Sequence, residues 1–193
     1  MTLTEQQALD LFKQAGAFLE GHFILTSGLH SPHYVEKFRV LEHPRITEQL
    51  CAQIAENFAG EGVTVVIGPV TGGVILAHEV GKQLGARAMF TERVDGTMAL
   101  RRGFTIGPGD RVLVVEDIVT TGGSVFEVLD VVKATGAHIV GLGFLVDRSG
   151  GRVAFGIPAK PLITLDVVTY PPDACALCAQ GSVAAKPGST GKK

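Results

Sequence analysis

The chain has 193 residues, 46% of them apolar, and a formal net charge of −2. That is enough to bury one α/β core without a partner, and the slightly acidic balance excludes a global basic field for gripping a nucleic-acid backbone or an anionic membrane. A phosphate-bearing ligand would have to be held by local groups.

No charged-then-apolar leader opens the sequence, and its apolar stretches are too short and too interrupted by Gly and charge to span a bilayer. Cys51, Cys175 and Cys178 form no disulfide-framework spacing. Both features predict a cytoplasmic protein that binds neither membrane nor nucleic acid.

In chain order, Thr4 and Gln7 stand at capping-box spacing before a stripe of Ala8, Leu11, Phe12, Ala15, Phe18 and Leu19, which predicts an N-terminal helix. The string EGHFILTSGLHSPHYVEKF, punctuated by Gly, Ser and Pro, predicts a hairpin or hood over roughly 18–40, outside the main repeat. Pro44 starts a second helix with a stripe of Ile46, Leu50, Ile54 and Phe58. An alternation follows: strand 63–67, helix 73–84, strand 86–90, a long polar loop, strand 111–115, helix 123–134, strand 138–146 and a last strand near 162–166. Non-alternating apolar runs separated by helices indicate parallel strands covered on both faces, hence a doubly wound α/β sheet. We expect one domain over 1–180 and a disordered Gly/Ser/Lys-rich tail over 181–193.

Ligands of such sheets sit beyond the carboxyl ends of the strands. The stretch VLVVEDIVTTGGS (112–124) places Glu116 and Asp117 there, followed by Ile118, Val119, Thr120, Thr121, Gly122, Gly123 and Ser124 at a helix start. Two charged acceptors suit the adjacent hydroxyls of a ribose, and free amides, hydroxyls and a helix's positive end suit a phosphate. Together they describe a 5-phosphoribosyl site. Walker and Rossmann glycine strings are missing. An acidic turn before an ordinary Ser/Thr helix start is the alternative.

Residues 112–124 resemble the phosphoribosyl-pyrophosphate motif of the type I phosphoribosyltransferases. Three further segments are similar to the orotate phosphoribosyltransferases within that superfamily: FILTSGLHSPHYV (23–35), FLVDRSGGR (144–152) and FTERVDGTMALRRGF (90–104), with YPPDACALC matching one bacterial subset. The resemblance implies the type I fold with a small hood, and transfer of phosphoribosyl to orotate with inversion at C1 and loss of pyrophosphate. It also implies Mg²⁺ on the pyrophosphate and a homodimer whose catalytic loop reaches a neighbouring subunit. It assigns Thr26, Ser27, Gly28, Tyr34, Thr120 and Arg148 to orotate, Arg148 because a guanidinium meets a carboxylate in a two-pronged geometry that Lys does not match. Glu116 and Asp117 would favour the cationic sugar. Arg93, Arg101 and Arg102 would grip the pyrophosphate, as would the Thr71–Gly72 turn. The loop over 91–104 carries no Lys or His, which many members have there, and Thr26 stands where a Lys often precedes Ser-Gly.

Other readings remain open: transfer to a purine or uracil, or a non-catalytic regulator that senses phosphoribosyl compounds. Cys175-x-x-Cys178 invites a zinc reading, but no second Cys/His pair lies nearby in the chain. Closure of a four-coordinate site within one chain is therefore not expected, and a site shared by two chains is the remaining option. His78, within a helix face, reads as structural.

Overall fold

The computed structural model describes residues 2–25 and 27–187. Thr4 caps α1 (Glu5–Gln14) with a complete capping box to Gln7. The helix stops at Gln14, short of the predicted end, because Phe18 and Leu19 enter β1 (Phe18–Ile24), which pairs antiparallel with β2 (His30–Val35) as a separate two-stranded hood. A short α2 (Phe38–Leu41) leads to α3 (Pro44–Asn57), with Pro44 in the first turn where its missing N–H costs nothing.

The alternation then runs β3 (Val65–Pro69), α4 (Gly72–Leu84), β4 (Arg87–Val94), β5 (Thr97–Leu100), β6 (Arg111–Val119), α5 (Gly123–Lys133), β7 (His138–Asp147) and β8 (Ala159–Thr164). Strand order is β5-β4-β3-β6-β7-β8, all parallel except the β5 edge. Successive residues of the central strands feed opposite faces, as a pleat demands. Val66, Leu113 and Val115 pack with Phe12, Leu50, Ile54 and Leu76 of α1, α3 and α4. Val65, Ile67, Val112 and Val114 pack with Val125, Val128 and Leu129 of α5. The doubly wound α/β architecture follows from that division.

Two regions differ from the sequence reading. The polar loop after β4 contains β5, joined to β4 by an Asp95–Gly96 turn with both residues at positive φ (50° and 84°). This is the Asp-Gly hairpin signal, legible in the sequence and passed over because the segment reads as polar. The tail, expected to be disordered from 181, is docked through 185: the Ile24 and Ala185 amides donate to the Ala185 and His22 carbonyls at 2.7 and 2.8 Å. Upstream of that contact, residues 172–174 form a 3₁₀ turn and Ala176–Ala179 form α6. Residues 188–193 of the predicted tail lie outside the described residues.

Candidate active site

β3 crosses over to β4 on one side and β6 to β7 on the other, so a crevice opens beyond the carboxyl ends of the adjacent β3 and β6. From β3 the chain turns through Thr71 into α4, which begins at Gly72. A Cβ at Gly72 would overlap the Asp117 carboxylate. Glycine there lets the β3 turn and the β6 acid interlock.

β6 continues to Val119, paired with Asp147 of β7, so Glu116 and Asp117 lie within the strand and are buried. The sequence reading ended the strand before them. Asp117 Oδ1 accepts the Ile118 amide at 2.7 Å and Lys37 Nζ at 2.9 Å, and Lys37 Nζ lies 2.8 Å from Oδ2. Burial disfavours the Lys37 charge, yet the Asp117 carboxylate more than offsets it and raises the Lys37 pKa. Burial and then the neighbouring Asp117 charge push Glu116 up to about 8. Its Oε1 accepts the Asp117 amide at 3.0 Å. Lys37 escaped the sequence reading because its partner lies 80 residues away and nothing in its own spacing marks it.

Beyond Val119, Gly122 adopts φ 77° and α5 begins at Gly123. The Phe126 amide makes the first helical bond, to the Gly122 carbonyl at 2.9 Å, so the preceding amides have no helical acceptor. These amides, the Ser124 and Thr hydroxyls and the helix's positive end surround a cavity of about 300 Å³ that Glu116, Ile118, Val119 and Arg93 complete. Arg93 is held at its rim by Glu127, with contacts of 2.7 and 3.0 Å.

A second cavity, of about 470 Å³, shares Thr120 and Thr121 with the first and is walled by Leu25, Ser27, Leu29, Arg148, Ser149 and Arg152, with Val153, Val167 and Thr169. Asp147 does not pair with Arg148. Its carboxylate accepts the Ser149 and Gly151 amides at 2.7 and 3.0 Å and so shapes the loop that carries the arginine. The Arg148 Nε is buried without a partner, and burial lowers the pKa of the group. An unpaired buried donor beside an apolar cavity suits a planar, acidic ligand.

The other predicted residues are less directly placed. Gly28 closes the hood turn through its amide to the Leu25 carbonyl (2.9 Å) at φ 83°, and Tyr34 packs on Phe23 with ring centroids 5.7 Å apart. Neither lines the second cavity. Arg102 forks onto Glu92 with both contacts at 3.0 Å, and Arg101 is exposed; neither lines either cavity. Thr26 lies outside the described residues. Leu25, Leu29, Ser149, Arg152, Val153, Val167 and Thr169 were not singled out in the sequence, since they come from three separate segments that meet only in the fold.

Residues 39–166 match the phosphoribosyl transferase domain. The chain is 50% identical to the orotate phosphoribosyltransferase of Desulforamulus reducens, covering 97% of this chain and 98% of the relative. The chain belongs to the orotate phosphoribosyltransferase family. A second family member, from Pelotomaculum thermopropionicum, is 51% identical over the same share of each chain. Among solved structures of the family, that of the Aeropyrum pernix enzyme superposes with a TM-score of 0.70 at 27% identity, covering 81% of this chain and 92% of that one.

Proposed function

We propose that this protein transfers the 5-phosphoribosyl group of phosphoribosyl pyrophosphate to orotate, giving orotidine 5′-monophosphate and pyrophosphate. One observation carries the reading: Thr120 and Thr121 wall both cavities, so a sugar whose phosphate sits on the α5 amides presents its other end to the Arg148 cavity. Arg148 would hold the orotate carboxylate or oxo edge and fix the ring nitrogen facing C1.

Glu116 and Asp117 would meet the ribose hydroxyls, and Asp117 would favour positive charge on the sugar as the C1–O bond breaks. Lys37 pairs with Asp117 in its buried setting. The amides after Thr71, with Arg93 and the exposed Arg101 and Arg102 of the β4–β5 region, would receive the leaving pyrophosphate. Mg²⁺ would neutralise that pyrophosphate. The residues fit an ion carried by substrate, since Lys37 already neutralises Asp117 and, among the described residues, Glu116 and Asp117 join no group of three or more possible ligands.

A homodimer is part of this reading. Phe38, Val70 and Ile75 are large apolar side chains exposed at 42%, 46% and 38%; Phe38 follows Lys37, and Val70 and Ile75 flank the turn from β3 into α4. Exposed apolar side chains of this size suit burial against a second copy whose β4–β5 region reaches across. Three unpaired cysteines suit a reducing cytoplasm, and among the described residues no helix is long and apolar enough to cross a membrane.

The test is incubation with orotate, phosphoribosyl pyrophosphate and Mg²⁺, following loss of orotate absorbance, beside a panel of purines and uracil. Turnover confined to orotate is expected. Turnover with another base and none with orotate, or ligand binding with no turnover at all, would overturn the reading.

A further inference from the structure

His22 on β1 and His30 on β2 stand diagonally across the hood ladder, since His22 precedes Ile24 by two residues and Ile24 pairs with His30. The tail folds back so that Cys175 and Cys178 meet them, and one ligating atom from each of the four lies within 4.8 Å of the others. His22 Nε2 is 2.9 Å from His30 Nδ1, 3.5 Å from Cys175 Sγ and 3.7 Å from Cys178 Sγ, while Cys178 Sγ is 3.3 Å from His30 Nδ1. Four ligands at ordinary zinc bond lengths form a tetrahedron with edges of about 3.3 Å between nitrogens and about 3.6 Å between nitrogen and sulfur. The four separations quoted lie within about 0.4 Å of those edges, and the remaining two are within 4.8 Å.

A second feature points to a cation. His22 Nδ1 lies 3.1 Å from the Ser182 carbonyl, which accepts only, so Nδ1 carries the proton and Nε2 of the neutral ring has a single bare lone pair. His30 Nδ1 and both thiols crowd that one lone pair, which accepts from one donor only, so the three cannot all hydrogen-bond to it. A central cation satisfies all four. The Ser182 carbonyl then does what backbone acceptors do behind zinc-bound histidines, setting the tautomer and ring orientation. Two thiolates also neutralise a divalent ion, which matters because His22, His30 and Cys175 are buried.

We propose that His22, His30, Cys175 and Cys178 form a structural zinc site within one chain, clipping the tail to the hood and setting the shape of the second cavity. The two His ligands bracket the turn that carries Leu25, Ser27 and Leu29, and Tyr170, which pairs with His30 through two 2.8 Å bonds, follows the cavity residues Val167 and Thr169. The metal would therefore clamp both edges of that cavity. The positioning role rests on the proposed transfer to orotate; the metal site does not.

Full-length protein purified under reducing conditions without added chelator should hold about one zinc per chain by mass spectrometry of metals, and Co²⁺ exchange should give the visible spectrum of a tetrahedral thiolate site. Cys178→Ser, at the exposed ligand, should lose that stoichiometry and raise KM for orotate about tenfold, with kcat and the KM for phosphoribosyl pyrophosphate nearly unchanged. Zinc should also protect Cys175 and Cys178 from alkylation in the wild-type chain, a readout independent of any variant's folding. A reduced wild-type chain that holds no metal and takes up neither Zn²⁺ nor Co²⁺ would overturn the site, as would full zinc occupancy in Cys178→Ser. An unchanged orotate KM in a zinc-free variant would overturn the clamp. A zinc-loaded chain without orotate turnover would count against the proposed reaction and not against the metal.

Discussion

The two cavities that meet at Thr120 and Thr121 are built in opposite ways. The proposed phosphate corner is nearly contiguous: Glu116 to Ser124 supply most of its wall, and each group is placed by the end of β6 and the start of α5. The proposed base cavity draws on the hood turn, the α5 approach, the loop after β7 and the run 167–169 beyond β8. A contiguous site survives distant disturbance, whereas an assembled one inherits every contact that holds its segments together.

The largest effect that would sharpen this contrast is expected at Asp117. Asp117→Asn should lower kcat/KM for phosphoribosyl pyrophosphate by about 10³-fold and destabilise the fold by roughly 2 kcal/mol, the upper figure for a buried pair being reduced because Lys37 is partly exposed. Steady-state kinetics and urea unfolding measure both; near-wild-type turnover would remove the acid from the mechanism.

Next, Arg148→Lys should raise KM for orotate about 30-fold while leaving phosphoribosyl pyrophosphate binding intact, because the lost element is the planar fork. Equal loss for both substrates would erase the division between the cavities. Gly122→Ala should cost about 2 kcal/mol, since φ is 77° and the new Cβ would lie 2.9 Å from both Phe155 and Val153; thermal melts check it.

A subtler effect concerns pH. Glu116 is raised by burial and by Asp117 from 4.5 to about 8, so between those values the native chain holds a proton that the unfolded chain has released. The stability this group contributes is fully present below the lower value and is lost as pH rises to the upper one. Glu116→Gln should flatten the Tm–pH curve across that window, and an unaltered curve would refute the assignment.

The smallest effect on stability is expected at Arg102. Its fork onto Glu92 is exposed, so Arg102→Ala should leave Tm unchanged. Any loss of turnover in that variant would then report pyrophosphate contact in the closed state.

The same contrast explains what could be read in advance. The motif at 112–124 was legible because strand, turn and helix start obey local rules, whereas Arg148 was reached only through the family resemblance of 144–152. Lys37 was not legible, since only the approach of α2 to β6 reveals its partner. The His22–His30 pair was overlooked because eight residues of hairpin separate the two rings in sequence, while the antiparallel ladder brings them together.

Hydrophobic periodicity, glycine placement and the acid–threonine–glycine run therefore determined the α/β order, the doubly wound sheet and the strand-to-helix turn at 116–124 from the sequence alone. Tertiary structure alone decided that Lys37 meets Asp117, that four segments close one cavity, and that 175 and 178 meet 22 and 30. The reason is physical: propensity, capping and pleat act over a few residues, whereas those meetings depend on which strands pair and where the chain returns.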